Sequence, residues 1–208
     1  CNVPVDEWQL DIVASGSQKG YMIPPGLSFI SMSQKAWEAS EKSNLPKFYL
    51  NLKSYKKSLL SNSNPYTPAV NLVFALDESL KMMKDEGLDK IFKRHERHKL
   101  AVSEAAKTLD LKLFADEKHL SPSVTAIQID GIDAEKFRKI IKNKFDILLA
   151  GGQDHLKGKI FRVGHLGYVN DRDIISVIAA IGNILIDQNK ISTEQVGEAL
   201  KIALLNLK

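Results

Sequence analysis

Residues 67 to 109 carry an apolar pattern of helical period that is broken once, at Gly87. Before the break, Val70, Val73, Phe74, Leu76, Leu80 and Met83 keep the spacing that places side chains on one stripe of a helix. Pro68 suits the first turn of that helix, where a missing N–H costs nothing. After the break, Ile91, Phe92, His95, His98, Val102 and Ala105 repeat the pattern. A glycine between two such runs ends the first by taking a left-handed conformation. The pair of helices is the natural bridge between two domains, so the boundary is expected at Gly87, dividing the chain into 1–86 and 87–208.

Beyond Gly87 strand and helix patterns alternate. Residues 112–115, 124–129, 146–150 and 160–163 are predicted strands. Residues 134–142, with Phe137, Ile140 and Ile141 inward, and 171–188 are predicted helices. Ser192-Thr193-Glu194-Gln195 has the capping-box pattern and opens a last amphipathic helix through Val196, Leu200, Leu204 and Leu207. This alternation specifies an α/β domain.

The first 86 residues hold the stretch best suited to chemistry. The β-branched pair Ile12-Val13 meets a turn, Ser15-Gly16-Ser17-Gln18, that presents Lys19. A second turn, Pro24-Pro25-Gly26, leads into an apolar run from Leu27 to Met32. Two strands joined by an irregular segment carrying one amine suit carbonyl chemistry. A lysine at its free pKa of about 10.4 is a poor nucleophile. Burial or neighbouring positive charge lowers that value and makes imine formation feasible. Most lysines, however, are solvated surface charges. Ser33 is placed to cap a short helix over 35–40, and 43–66 is loop-rich.

Two further places stand out. In Asn64-Pro65-Tyr66-Thr67-Pro68, two hydroxyls precede a predicted helix N-terminus, whose free N–H groups and positive dipole end suit a phosphate. The same residues also make a plain turn with Thr67 as N-cap. Arg162 sits in an apolar strand between Phe161 and Val163, where an unpaired guanidinium is costly. A carboxylate gripped in two places answers that need, and so does an ion pair with an aspartate or glutamate. Gly151-Gly152 reads as a turn beside the substrate entrance.

Ser15-Gly16-Ser17-Gln18-Lys19, followed five residues on by Pro24-Pro25-Gly26, resembles the pyridoxal-phosphate lysine segment of class V aminotransferases. The resemblance is nearest to the alanine–glyoxylate and serine–glyoxylate branch, which includes proteins named soluble hydrogenase small subunit. It implies that Lys19 binds pyridoxal 5'-phosphate covalently and is the catalytic residue, and that Gln18 contacts the cofactor phosphate. Thr67, and with it Tyr66, is similar to a segment that reaches the phosphate of the neighbouring subunit in a homodimer. Arg162-Val163-Gly164-His165-Leu166-Gly167 resembles the Arg-x-Gly-x-x-Gly element whose arginine binds the substrate α-carboxylate. The implied fold is α/β: residues 1–86 as the C-terminal part of a large cofactor-binding domain with a mixed sheet, and 87–208 as the small C-terminal domain. A chain of this kind is expected to be the C-terminal part of a longer enzyme and inactive alone. The implied reaction moves an amino group between a small amino acid, alanine or serine, and a 2-oxo acid such as glyoxylate or pyruvate.

Rival readings are a cysteine desulfurase-like lyase and a non-catalytic subunit or fragment. The lyase needs a reactive cysteine on a mobile loop, and the one cysteine is Cys1. A metal–sulfur site needs several thiolates. His95 and His98 lack a third ligand at suitable spacing, so no metal is expected. The net charge of +4 is scattered; its densest cluster, 90–99, alternates with apolar positions as the wet face of a helix does, which argues against a nucleic-acid partner. No apolar run approaches the ~18 residues of a membrane span. Low cysteine usage fits a reducing compartment, with the cytoplasm as the expectation.

Overall fold

The computed structural model describes residues 2–208, which divide into two compact units, 2–86 and 87–208. In the first, β1 (Ile12–Gly16) and β2 (Ser28–Met32) pair antiparallel, from Ile12 opposite Met32 to Gly16 opposite Ser28. Three helices follow: α1 (Gln34–Lys42), α2 (Leu52–Leu59) and α3 (Val70–Glu86). Ser33 caps α1 by accepting from the Ala36 N–H, while its hydroxyl donates to Asp11 at 2.7 Å. Asn51 caps α2 in the same way through the Lys53 N–H.

The start of α3 differs from the expectation. The Val70 N–H closes a tight turn onto the Pro68 carbonyl at 2.9 Å, so the first carbonyl left to serve the helix is that of Ala69. Thr67 is therefore not the cap, and Pro68 lies ahead of the helix rather than in its first turn. Gly87 follows α3 with φ 83°, in the left-handed region.

The second unit opens with α4 (Leu88–Thr108) and continues through β3 (Lys112–Leu113), β4 (Val124–Gln128), α5 (Ala134–Phe145), β5 (Ala150–Gly151), β6 (Ile160–Gly164), α6 (Asp171–Asp187) and α7 (Thr193–Asn206). The sheet has the order β3-β4-β6-β5 with every pair antiparallel. Its core joins Val102 of α4 and Leu109 at its C-cap, Ile127 and Phe161 of the sheet, Phe137 of α5 and Ile178 of α6. The Phe137 and Phe161 rings stack with centroids 5.1 Å apart. Fully buried alanines at 101 and 105 on α4, and at 199 and 203 on α7, let those helices pack closely.

Several local expectations shift. α5 runs to Phe145, and Asp146 closes it in the left-handed conformation with φ 54°, which leaves β5 only two residues. The inward stripe of α5 is Ala134, Phe137 and Ile141, so Ile140 falls off it and is exposed. On α7 the stripe is Val196, Ala199, Ala203 and then Leu207, which turns Leu204 to the surface. No helix among the described residues is long and apolar enough to cross a membrane.

Candidate functional site

Lys19 stands in the loop that joins β1 to β2, and that loop is pinned at its base. The Ser17 N–H continues the ladder by donating to the Leu27 carbonyl at 3.0 Å. The return bond goes to a side chain: the Leu27 N–H donates to Ser17 Oγ at 3.2 Å, and Ser17 Oγ donates to the Pro24 carbonyl at 2.7 Å. Ser17 is fully buried. Farther out, the Met22 N–H closes a turn onto the Lys19 carbonyl at 3.0 Å, with Met22 itself at φ 59°.

Helix α3 braces the same loop. Ser79 Oγ donates to the Tyr21 carbonyl, and the Tyr21 ring lies 4.5 Å from that of Phe29. Gly26, at φ 141°, has the Leu72 methyl where a Cβ would meet it at 2.5 Å, so only glycine fits there. Lys19 and Gln18 are exposed on this braced loop. The burial or neighbouring cation expected to set Lys19 apart is not supplied by these residues; the amine makes no hydrogen bond or ion pair among the described residues. Gln18 folds its amide back over Gly16, 2.8 Å from where a Cβ would stand.

Thr67 is exposed just ahead of α3. Tyr66 donates its hydroxyl to the Phe48 carbonyl at 3.1 Å and sits among aromatic rings, with Tyr49 at 4.8 Å and Tyr55 at 6.0 Å. Thus Gln18 and Lys19 share one loop, Thr67 begins the segment whose helix braces it, and Tyr66 belongs to a separate aromatic cluster.

Arg162 lies in the second unit, on β6. Alternation along the strand turns Phe161 and Val163 into the core and Arg162 to the opposite face. Its cross-strand neighbours are Ala126 and Ala150, two small side chains that leave the guanidinium room. Arg162 Nε donates to the Gly151 carbonyl at 2.9 Å. No carboxylate pairs with it among the described residues, so its outer N–H groups are free to grip an anion in two places. Gly152 is sterically required, since a Cβ would meet the Leu156 carbonyl oxygen at 2.1 Å; at Gly151 a Cβ would meet only the flexible ends of Glu135 and Arg138, at 2.4 and 2.5 Å.

The chain after Arg162 is held by residues that sequence reasoning did not single out for this. His165 is fully buried, its Nδ1 donating to the Pro122 carbonyl at 3.1 Å and its Nε2 accepting from Thr125 at 2.9 Å. Burial pushes its pKa down to about 4, so the ring is neutral. His95 Nε2 accepts from the Gly167 N–H at 3.1 Å, which assigns its proton to Nδ1 and a bond to the Ile91 carbonyl. Arg94 donates to the Gly167 and Val169 carbonyls at 2.8 and 3.1 Å. His98, lowered by burial, meets Asp171 in the first turn of α6 at 2.8 Å. The signal available in sequence was the set of polar residues on the inward stripe of α4. No group of three or more histidine, cysteine, aspartate or glutamate side chains is placed for a metal among the described residues.

Comparison with known proteins bears on these residues. The family model described as aminotransferase class-V matches residues 1–167. The soluble hydrogenase 42 kDa subunit of Anabaena cylindrica is 58% identical over 186 residues, covering 89% of this chain and 49% of that protein. The serine–glyoxylate aminotransferase of Methylorubrum extorquens is 35% identical over 189 residues, covering 88% and 47%. Among solved structures, ureidoglycine–glyoxylate aminotransferase from Bacillus subtilis superposes with a TM-score of 0.90 at 31% identity, covering 99% of this chain and 54% of that one. The chain spans about half the length of the curated relatives it matches.

Proposed function

The chain belongs to the class V aminotransferases, and on that premise we propose that its residues serve a pyridoxal-phosphate-dependent transamination, with Lys19 as the catalytic amine. The observation that carries this reading is Lys19 itself, an unpaired amine presented by a braced loop within Ser15-Gly16-Ser17-Gln18-Lys19. The donor set fits the cofactor. A primary amine is free to take its aldehyde carbon, the Gln18 amide on the same loop is folded against Gly16, and hydroxyls at Thr67 and Tyr66 suit its phosphate. Tyr66 is the weaker partner, since its hydroxyl already serves Phe48.

Pyridoxal phosphate supplies an aldehyde and an electron-accepting ring. With the cofactor bound, Lys19 Nζ would hold its aldehyde carbon, and the Lys19 amine would move the substrate α-proton as general base and general acid. Arg162 binds the α-carboxylate that donor and acceptor share, and so orients both half-reactions alike. Glyoxylate is the favoured acceptor, because both aminotransferase relatives above carry it in their names; pyruvate is the second choice, and alanine or serine the donor. The same reading makes 1–86 part of a large cofactor-binding domain, 87–208 the small domain, and the working form a cytoplasmic homodimer.

The test uses the protein at its full natural length. Lys19→Ala lowers alanine– or serine–glyoxylate exchange by at least about 10²-fold, the general acid–base contribution alone, and removes the cofactor's yellow absorption from the protein. Arg162→Gln raises KM for both substrates. Retention of the yellow band and of turnover by Lys19→Ala overturns the reading.

A further inference from the structure

The loop that carries Lys19 is closed by a side chain where a hairpin closes with backbone. Opposite β-residues that form a hydrogen-bonded pair exchange two N–H···O=C bonds. At Ser17 and Leu27 only one of the two is of that kind, from the Ser17 N–H to the Leu27 carbonyl at 3.0 Å. The other runs from the Leu27 N–H to Ser17 Oγ at 3.2 Å. The Ser17 carbonyl, released from the ladder, instead accepts from the Ile23 N–H at 3.4 Å. The hydroxyl proton is used too, on the Pro24 carbonyl at 2.7 Å. One buried serine thus ties residues 23, 24 and 27 to the position two residues before the amine.

We infer that Ser17 is a positioning residue for Lys19: its hydroxyl, standing in for a ladder carbonyl, fixes the base of the loop so that the Lys19 turn projects the amine to one place. Ser79 on α3 completes the arrangement through the Tyr21 carbonyl. Three anchors therefore bracket Lys19: Ser17 before it, the Met22 N–H across its own turn, and Ser79 after it. This inference rests on the reading of Lys19 as the cofactor-binding amine.

A fixed amine reacts with an aldehyde more readily than a mobile one, because its orientation is set before the encounter. Ser17→Ala removes both bonds of the hydroxyl and leaves the Leu27 N–H and Pro24 carbonyl to find other partners. The loop then samples several conformations, and Lys19 loses its advantage over the other lysines of the chain.

The experiment uses the full-length protein with pyridoxal phosphate as the probe. Condensation of Lys19 Nζ with the aldehyde releases one water; borohydride then delivers hydride to the C=N carbon, solvent supplies the proton to nitrogen, and a stable secondary amine remains. Peptide mass spectrometry measures the labelled fraction at Lys19 against that at the other lysines, and absorption followed against pH gives the protonation midpoint of the bound form. In Ser17→Ala, Lys19 selectivity falls about tenfold, the size of one lost buried hydrogen bond, and the midpoint moves. Ser17→Thr, which keeps the hydroxyl, restores both toward the unsubstituted values. Should Ser17→Ala not fold, as judged by circular dichroism, Ser79→Ala takes its place, with the same direction expected. Unchanged selectivity and midpoint in a folded alanine variant overturn the inference alone. Failure of the unsubstituted protein to label Lys19 overturns the aminotransferase reading, and this inference with it.

Discussion

The two units of the chain treat their apolar residues in opposite ways. In 87–208 they face one another: Phe137, Phe161, Ile141, Ile174 and Ile184 are all buried to within a percent or so of completely. In 2–86 the only buried apolar side chains are Ile23 and Ala36, while Phe48, Leu60 and Phe74 are 80%, 85% and 71% exposed. The helical stripe on α3 is as regular as that on α4, yet α4 buries its stripe and α3 shows Val70, Val73 and Leu80 at its surface. Periodicity states which face of a helix is apolar, and it takes a neighbour to make that face a core. The other two buried residues of 2–86, Ser17 and Ser79, are both hydrogen-bonded within or onto the loop that carries Lys19.

The sharpest break of this comparison is to separate the units. A polypeptide of 87–208 is expected to unfold in one cooperative thermal transition. One of 2–86 is expected to show none and to bind a hydrophobic dye, because one buried isoleucine at about 1.5–3 kcal/mol and one buried alanine methyl at about 0.8 kcal/mol do not offset about 1–2 kcal/mol of backbone entropy per residue. A cooperative melt of isolated 2–86 removes the contrast.

Single substitutions come next. Phe161→Ala deletes a fully buried ring stacked on Phe137 and is expected to lower stability by about 3–5 kcal/mol in denaturant titrations. Phe74→Ala, on a ring that is 71% exposed, is expected to stay within about 0.5 kcal/mol. Equal effects from the two would contradict the assignment of the core to one unit.

The smallest effect is a pH dependence, and it too belongs to one unit, since all five histidines lie in 87–208. His165 has its pKa depressed from 6.5 to about 4 by burial, with His98, His95 and Lys99 opposing its protonation. Between those values the unfolded chain binds the proton and the folded one does not, so folded stability rises with pH across the window. The contribution is fully present above about 6.5 and is lost as pH falls towards 4, amounting to up to about 3 kcal/mol. His98, shifted in the same direction, steepens the slope. Denaturation midpoints of 87–208 from pH 7 to 4.5 measure it, and His165→Asn is expected to flatten it.

What the sequence disclosed follows how local each cause is. The Ser33 cap, the left-handed Gly87 and the long runs of α4 and α6 are each settled within a turn or two of chain, and they are legible. The capping-box pattern at Ser192 marks the start of α7, with Ser192 accepting from the Gln195 N–H. The box itself is incomplete there, since the Gln195 side chain reaches the Thr108 carbonyl and Asp110 instead. The complete box stands at Asn170 and Asp173, where the far residue is aspartate rather than glutamate or glutamine. Around the candidate site, Lys19 and Arg162 stand out by neighbouring residues alone. The ties of His95 and Arg94 to Gly167 span more than seventy positions of chain, and no local pattern announces them. Ser17 was legible as a turn residue but not as a stand-in for a carbonyl, because that role depends on where Leu27 returns.

The sheet in 87–208 ends on both sides in strands of two residues, β3 and β5. Strands that short offer an incoming chain almost no unpaired backbone to dock on, a common protection against aggregation. The hairpin in 2–86 is the reverse case: both of its strands run five residues, and among the described residues each has one side without a partner. If this protein clumps when concentrated or overproduced, the fibrils should begin at Ile12–Gly16 and Ser28–Met32, the strands on either side of the loop that carries Lys19.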